Sequence, residues 1–121
     1  MDRKELTRQY KETSRPMGVY RVLNTASGKA LVGASTDVQA MLNRQRAQLR
    51  LRGHRNHALQ ADWDALGEAA FTFEVLDTIE PPEGKPDYDP ADDLRVLEAM
   101  WLDRLSPFDG KGYNARPRLG R

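Results

Sequence analysis

The fold of this chain is decided by two short segments, Gly18-Val19-Tyr20 and Leu31-Val32-Gly33. Between them lies Asn24-Thr25-Ala26-Ser27-Gly28-Lys29, in which Asn, Ser and Gly are residue types that tight turns use. The flanking residues include Val and Tyr, which are well suited to extended strands. The sequence therefore predicts a hairpin of two antiparallel strands near the start of the domain.

Two helices are predicted after the hairpin. The first begins near Asp37, a helix-capping residue, and stops at Gly53. The second is capped by Asn56 and ends at Gly67. Apolar residues recur at nearly helical spacing in both segments, namely Val38, Met41, Leu42 and Leu49 in the first and Leu59, Trp63 and Leu66 in the second.

A third strand and a third helix complete the predicted core. Residues 70–76 alternate apolar and polar side chains, which predicts a half-buried strand whose core-facing residues are Phe71, Phe73 and Val75. The last helix begins at Asp92 or Asp93. Its apolar stripe is Leu94, Leu97, Met100, Trp101 and Leu105. We therefore expect an α+β fold, with a small three-stranded, mainly antiparallel sheet flanked by helices.

The domain organisation follows from the length of 121 residues and from local composition. This length suits one small core but not two. We expect a single domain over residues 17–114, preceded by an N-terminal arm at 1–16 and followed by a basic tail at 115–121. Within the domain, residues 79–91 are rich in proline and acidic residues and are predicted to form an acidic loop.

The net charge of +1 conceals a polarised distribution. No acidic residue occurs between Asp37 and Asp62, whereas acidic residues dominate 77–98. The basic residues predicted to contact nucleic acid are Arg44, Arg46, Arg50, Arg52, Arg55 and Lys111. A basic face suits a phosphate backbone, whose binding depends on charge neutralisation and counterion release. A solvated arginine-rich helix face without a ligand is the alternative interpretation.

Several classes of protein are disfavoured by what the sequence lacks. It contains no cysteine, which removes disulfides and cysteine metal sites and is compatible with a reducing cytoplasm. No segment approaches about eighteen consecutive apolar residues, so we expect a cytoplasmic protein that has no membrane partner. His54 and His57 are the only histidines and are expected on the surface. The sequence leaves the oligomeric state open.

Two later segments extend the pattern of the hairpin. Glu98 lies within Leu97-Glu98-Ala99-Met100-Trp101-Leu102, and Asn114 ends Gly112-Tyr113-Asn114. With the hairpin and the basic helix, these segments resemble the GIY-YIG nuclease superfamily over about residues 17–114. The resemblance implies catalytic roles for Tyr20, Lys29, Arg44, Glu98 and Asn114. It also implies that Glu98 binds one divalent ion, Mg²⁺ or Mn²⁺.

Three positions depart from the pattern of that family. Leu31 stands where the family has its second Tyr, Met41 where it has a catalytic Arg, and Gln45 where it often has a His. Arg44 follows Met41 by three residues, and residues at this spacing share one helix face. Arg44 is therefore the candidate to contact the phosphate in place of the missing Arg.

The resemblance and the departures leave more than one function open. The first is a divergent metal-dependent endonuclease that hydrolyses DNA, single strands included, with DNA favoured over RNA as the partner. The second is a catalytically inactive nucleic-acid-binding module with the same fold. A third is an interaction protein whose acidic loop meets a basic partner.

Overall fold

The computed structural model describes residues 15–116, and its elements follow the predicted order. They are β1 (Met17–Asn24), β2 (Ala30–Ser35), α1 (Val38–Arg50), α2 (His57–Leu66), a 3₁₀ turn (Glu68–Ala70), β3 (Phe71–Ile79) and α3 (Ala91–Leu105). Most of the expected N-terminal arm and basic tail lies outside the described residues. None of the helices within 15–116 combines the length and apolar character needed to cross a membrane.

The three strands form one antiparallel sheet in the order β2-β1-β3. One face packs against α1 and α2 through a cluster that includes Tyr20, Leu42 and Trp63. The opposite face packs against α3 through a smaller cluster around Val19 and Val32. The predicted α+β fold, a three-stranded antiparallel sheet flanked by helices, is confirmed.

The hairpin turn is organised by Asn24, whose side chain is almost completely buried. Its Oδ1 accepts hydrogen bonds from the backbone N–H groups of Ala26 (3.0 Å) and Ser27 (3.3 Å). Gly28 has a φ of +82°, a conformation that glycine adopts at little cost. The turn residues read from the sequence therefore have direct structural roles.

The first two helices begin at the capping residues that the sequence predicts. Asp37 accepts from the N–H of Ala40 at 3.0 Å, and Asn56 accepts from the N–H of Leu59 at 3.1 Å. Each bond satisfies a backbone donor that has no partner within the helix. The caps fix where α1 and α2 start, and the apolar spacing then sets which faces meet the sheet.

Two expectations about core residues are wrong. Val75 was expected to face the core, but 42% of it is exposed. It lies opposite Tyr20, on the same side of the sheet as Phe71 and Phe73, but on the outer strand β3 and beyond the apolar cluster that covers those two residues. Leu76, on the other side of the sheet, packs against the cluster beneath α3. Met100 was expected in the apolar stripe of α3 and is 58% exposed, because the helix presents Leu97, Trp101 and Leu105 to the sheet instead.

Replacing Gly18 by alanine should destabilise the sheet. A Cβ at this position would lie 1.9 Å from the carbonyl oxygen of Asp77 on β3, so the two strands would have to separate. We expect Gly18→Ala to lower the free energy of unfolding by about 1–3 kcal/mol in urea denaturation. Gly53→Ala is the matched control, since nothing lies within 4 Å of its added carbon. An equal loss in both variants would contradict the steric explanation.

Candidate functional site

The outer edge of β2 is covered by the segment that follows α3. β1 pairs with only one side of this strand, and no other strand pairs with β2 within residues 15–116. Asn114 takes over part of the missing pairing: its Oδ1 accepts from the N–H of Val32 and its Nδ2 donates to the carbonyl of Val32, each at 2.8 Å. The backbone N–H of Tyr113 donates to the carbonyl of Ala30 at 2.9 Å. Asn114 is thereby fixed against the middle of β2.

Glu98 reaches the same edge of β2 from α3. Its carboxylate lies near the backbone N–H of Ala34, two residues beyond Val32. Burial raises the pKa of Glu98, and the nearby N–H of Ala34 partly opposes the increase. The carboxylate is therefore half-buried beside one backbone donor of β2.

Tyr20 approaches β2 from the neighbouring strand. It lies opposite Gly33 in the β1–β2 register, and a Cβ at Gly33 would be only 2.5 Å from the Tyr20 hydroxyl oxygen. A side chain at position 33 would displace the phenol. Tyr20, Glu98 and Asn114 consequently gather around the three-residue segment 32–34 of β2.

Electrostatics keep the Tyr20 hydroxyl protonated. Burial raises its pKa first, and the nearby charge of Glu98 raises it further. The nearby amide of Gln45 acts in the opposite direction. At neutral pH the Tyr20 side chain is therefore a neutral phenol, able both to donate and to accept a hydrogen bond.

Glu98 is also the residue best placed to hold a metal ion. The described part of the chain contains no group of three or more His, Asp or Glu side chains arranged as a metal site. A single carboxylate still suits a hard divalent cation that retains several of its waters. A cation beside Glu98 would also favour the ionised form that burial disfavours. The donor chemistry at this position therefore fits one largely hydrated divalent ion.

Lys29 and Arg44 come from the hairpin and from α1. Lys29 is half-buried just before β2, four positions before Gly33, which corresponds to about 13 Å along an extended chain. Arg44 is exposed on α1. Leu31 and Met41 occupy two of the positions that differ from the family pattern. Both pack against the apolar cluster between the sheet and α1.

The predicted nucleic-acid-binding arginines differ in how far their charge is already neutralised. Arg50 forms two hydrogen bonds to Glu68, at 2.8 and 2.6 Å, and Arg52 lies 3.9 Å from a carboxylate oxygen of Asp64. The guanidinium of Arg46 stacks over the ring of Phe73, 4.4 Å from its centroid. Within 15–116, no carboxylate forms an ion pair with Arg44, Arg55 or Lys111.

The position expected for His54 is wrong. Only 7% of His54 is exposed, whereas His57 lies on the surface as expected. The Nδ1 atom of His54 accepts from the backbone N–H of Asn56 at 3.0 Å, and its Nε2 meets Oε1 of the buried Gln45. The loop between α1 and α2 turns His54 back toward α1, and no periodicity in the sequence indicates this nine-residue contact. Sequence reasoning therefore missed the burial of His54 and its contact with Gln45.

The segment carrying Asn114 is anchored by Tyr113. The Tyr113 hydroxyl donates to Asp62 at 2.6 Å and accepts from Asn24 at 3.0 Å. Burial and the hydrogen bond to Asp62 raise the pKa of Tyr113 to about 12. Its backbone carbonyl also accepts from Nδ2 of Asn56 at 2.7 Å. These bonds hold the residue before Asn114 against both the hairpin and α2.

The chain is similar to solved structures of one endonuclease domain. A structure described as the catalytic domain of homing endonuclease I-TevI is 26% identical, with a TM-score of 0.65, covering 84% of this chain and 99% of that one. A glutamate-to-alanine mutant of the catalytic domain of intron endonuclease I-TevI is 24% identical, with a TM-score of 0.67 and coverages of 87% and 99%. No protein-family model and no curated protein matches the sequence significantly.

Protonation of His54 should weaken the fold. Burial lowers the pKa of His54 in the folded protein, so the unfolded chain takes up this proton at the higher pH. The contribution of neutral His54 to the free energy of unfolding is fully present above the pKa of histidine in the unfolded chain, about 6.5. It decreases as the pH falls below that value. Urea unfolding at a series of pH values from about 8 down to about 5 measures the decline.

His54→Gln and His57→Gln separate this contribution from other titrations. His54→Gln should remove the corresponding part of the pH dependence, whereas His57→Gln should retain it because His57 is exposed. An unchanged pH dependence in His54→Gln would show that His54 does not contribute.

Proposed function

We propose that this chain, a divergent member of the GIY-YIG nuclease superfamily, is a metal-dependent endonuclease that hydrolyses phosphodiester bonds of DNA, single strands included. The observation that carries this proposal is the convergence of Tyr20, Glu98 and Asn114 on residues 32–34 of β2. These side chains come from three separate parts of the chain. Together they offer a carboxylate for a metal ion, a phenol for water and an amide for phosphate at one place, which supports the proposal.

The proposed role of Glu98 is to hold one Mg²⁺ or Mn²⁺. A bound ion of this kind would neutralise charge that builds on the phosphate during hydrolysis. Glu98 has acceptor capacity beyond its contact with the N–H of Ala34, since a carboxylate has about four lone-pair sites.

Tyr20 and Asn114 would position the reacting groups. The protonated phenol of Tyr20 can orient the attacking water by a hydrogen bond. Asn114 uses one Nδ2 hydrogen on the carbonyl of Val32, and its second amide hydrogen remains for a phosphate oxygen. Both groups are held by the fold before substrate binds, which reduces the reorganisation needed in the transition state.

Cationic groups would bring the nucleic acid to this edge. Among the predicted contacts, Arg44, Arg55 and Lys111 are not neutralised by an ion pair within 15–116, and we assign them the leading roles. Lys29, farther along the hairpin, would contact the nucleic acid backbone rather than the reacting phosphate. Arg46, Arg50 and Arg52 would contribute less, because each already interacts with a protein partner.

A catalytically inactive nucleic-acid-binding module is the second candidate function. Leu31 and Met41 occupy the positions of a family Tyr and Arg, and both are packed against the apolar cluster. Neither can donate a hydrogen bond to phosphate. Loss of one such donor typically costs on the order of 10²- to 10³-fold in rate, so losing both favours a protein that binds without cutting.

Glu98→Gln should abolish cleavage while leaving the fold intact. The amide keeps an oxygen for the N–H of Ala34 but loses the charge that would hold a divalent ion. We expect cleavage of a labelled DNA in Mg²⁺ or Mn²⁺ to fall by at least about 10²-fold. Asp103→Asn, which changes an exposed carboxylate on the same helix, should cleave like the wild type.

The same assay separates the two candidate functions. If the wild type cuts no DNA or RNA with either ion, even at high protein concentration, the nuclease proposal is wrong. Retained binding that weakens steeply with salt would then support the inactive module. Equal cleavage by the wild type and Glu98→Gln would show that the Glu98 carboxylate is not needed for cleavage.

Arg44 should contribute more to nucleic-acid binding than Arg50. Arg44→Ala removes a charge without an internal ion pair, so the slope of log affinity against log salt for duplex DNA should become shallower by about 0.9. Arg50→Ala should change the slope less, because Glu68 already balances Arg50. Fluorescence anisotropy at several salt concentrations measures both slopes. A larger effect from Arg50→Ala would contradict the assignment.

A further inference from the structure

The hydroxyl of Tyr113 lies between the hairpin turn and α2. Only 7% of Tyr113 and 1% of Asn24 are exposed, so water satisfies little of the hydrogen bonding there. The Tyr113 oxygen accepts from Nδ2 of Asn24 at 3.0 Å, and its hydrogen is donated to Oδ2 of Asp62 at 2.6 Å. One hydroxyl thus joins the first hairpin, the second helix and the segment that carries Asn114.

The direction of each hydrogen bond at this hydroxyl is determined by its partners. The Oδ1 atom of Asn24 already accepts from two N–H groups of the turn, so its amino group is the part that faces Tyr113. An amino group only donates, and the phenol must therefore direct its single hydrogen to Asp62. Burial raises the pKa of Tyr113 to about 12, so the hydroxyl keeps that hydrogen at neutral pH.

The Asn114 amide has one orientation on β2. Its oxygen accepts from the N–H of Val32 and its amino group donates to the carbonyl of Val32, each at 2.8 Å. Turning the amide by 180° would place donor against donor and acceptor against acceptor. One hydrogen of Nδ2 stays outside these two bonds, and its direction depends on where Asn114 lies along β2.

The position of Asn114 depends on the segment around it. The backbone N–H of Asn114 donates to the carbonyl of Pro107, and that of Tyr113 donates to the carbonyl of Ala30, each at 2.9 Å. The Tyr113 carbonyl accepts from Asn56 at 2.7 Å. These bonds hold the main chain of the segment, while the Tyr113 hydroxyl holds the side chain. Because Tyr113 and Asn114 are adjacent, a shift of one residue moves the other.

We infer that Asp62 and Tyr113 are positioning residues for the reaction, because together they hold Asn114 where its remaining amide hydrogen can meet a phosphate oxygen. This inference rests on the proposed nuclease function. Asp62 acts through the Tyr113 hydroxyl and not on the phosphate itself. Loss of that hydroxyl would leave the amino group of Asn24 without its acceptor, and water can reach this buried group only when residues 113–114 move.

The charge of Asp62 leads to a graded expectation. An O–H group donated to a carboxylate forms a hydrogen bond about twice as strong as one donated to a neutral oxygen. Asp62→Asn keeps an acceptor for the hydroxyl but loses the charge, whereas Asp62→Ala removes the acceptor. If the inference is correct, kcat should fall in the order wild type, Asp62→Asn, Asp62→Ala.

The first test measures cleavage of a labelled DNA in Mg²⁺ or Mn²⁺. We expect Tyr113→Phe and Asp62→Ala to lower kcat by about three- to tenfold with KM changed little, and Asp62→Asn to recover most of that loss. Thr25→Val is the matched control, because it removes another side-chain hydrogen bond of the same turn, from Thr25 to the carbonyl of Ala70 at 2.8 Å. It should keep the wild-type kcat.

Hydrogen exchange gives a second measurement that does not depend on cleavage. The N–H of Val32 is bonded to Asn114, whereas Val22 lies fully buried on the central strand of the sheet. We expect Tyr113→Phe and Asp62→Ala to accelerate exchange at Val32 by about tenfold relative to exchange at Val22. A role in global stability alone would accelerate exchange at both N–H groups together.

The outcomes separate this inference from the proposed function. Wild-type kcat in a folded Tyr113→Phe protein would overturn the inference, and so would equal acceleration of exchange at Val32 and Val22. Asp62→Ala gives the same readouts from a half-buried position if Tyr113→Phe does not fold. If the wild type cleaves no nucleic acid, the proposed function is wrong and the role in the reaction fails with it, while the exchange ratio still shows whether Asp62 and Tyr113 hold Asn114.

Discussion

β2 has a neighbouring strand on one side only, and the backbone groups along its other side must find partners elsewhere. Unpaired strand edges are also sites where proteins associate wrongly, so they are commonly covered. Here Asn114 supplies two hydrogen bonds to Val32, and Glu98, from a segment distant in sequence, lies beside the N–H of Ala34. The same contacts place an amide and a carboxylate beside the Tyr20 phenol. The candidate site is thus a consequence of how this fold protects its edge.

The elements that were predictable from the sequence are those determined by nearby residues. Asp37 and Asn56 cap their helices through bonds spanning three residues, and Asn24 organises a turn with its immediate neighbours. The exposure of Val75 could not be predicted, because it depends on how far the apolar cluster between the sheet and the helices extends along β3. His54 was misplaced for a related reason: its burial depends on a loop path. The convergence around β2 was expected only through the family resemblance, since neither composition nor spacing indicates it.

The candidate site combines features that have opposite effects on stability. Burial disfavours the ionised form of Glu98, and the buried side chains of His54 and Gln45 need specific partners. Leu31 and Met41, in contrast, extend the apolar cluster next to the same residues. Such a mixture is typical of sites where function limits stability. The departures at Leu31 and Met41 are accommodated by packing against that cluster.

The bond between Asn24 and Tyr113 joins residues separated by 89 positions. Asn24 belongs to the first hairpin of the domain, and Tyr113 lies beyond its last helix, so this contact closes nearly the whole described chain into one loop. A contact between residues so distant in sequence carries an entropic cost of loop closure that the intervening elements reduce when they form first. We therefore expect the site to assemble after those elements. A ribosome-bound chain that has not yet released residues 113 and 114 could form the hairpin and α1, but it would still present β2 with an uncovered edge.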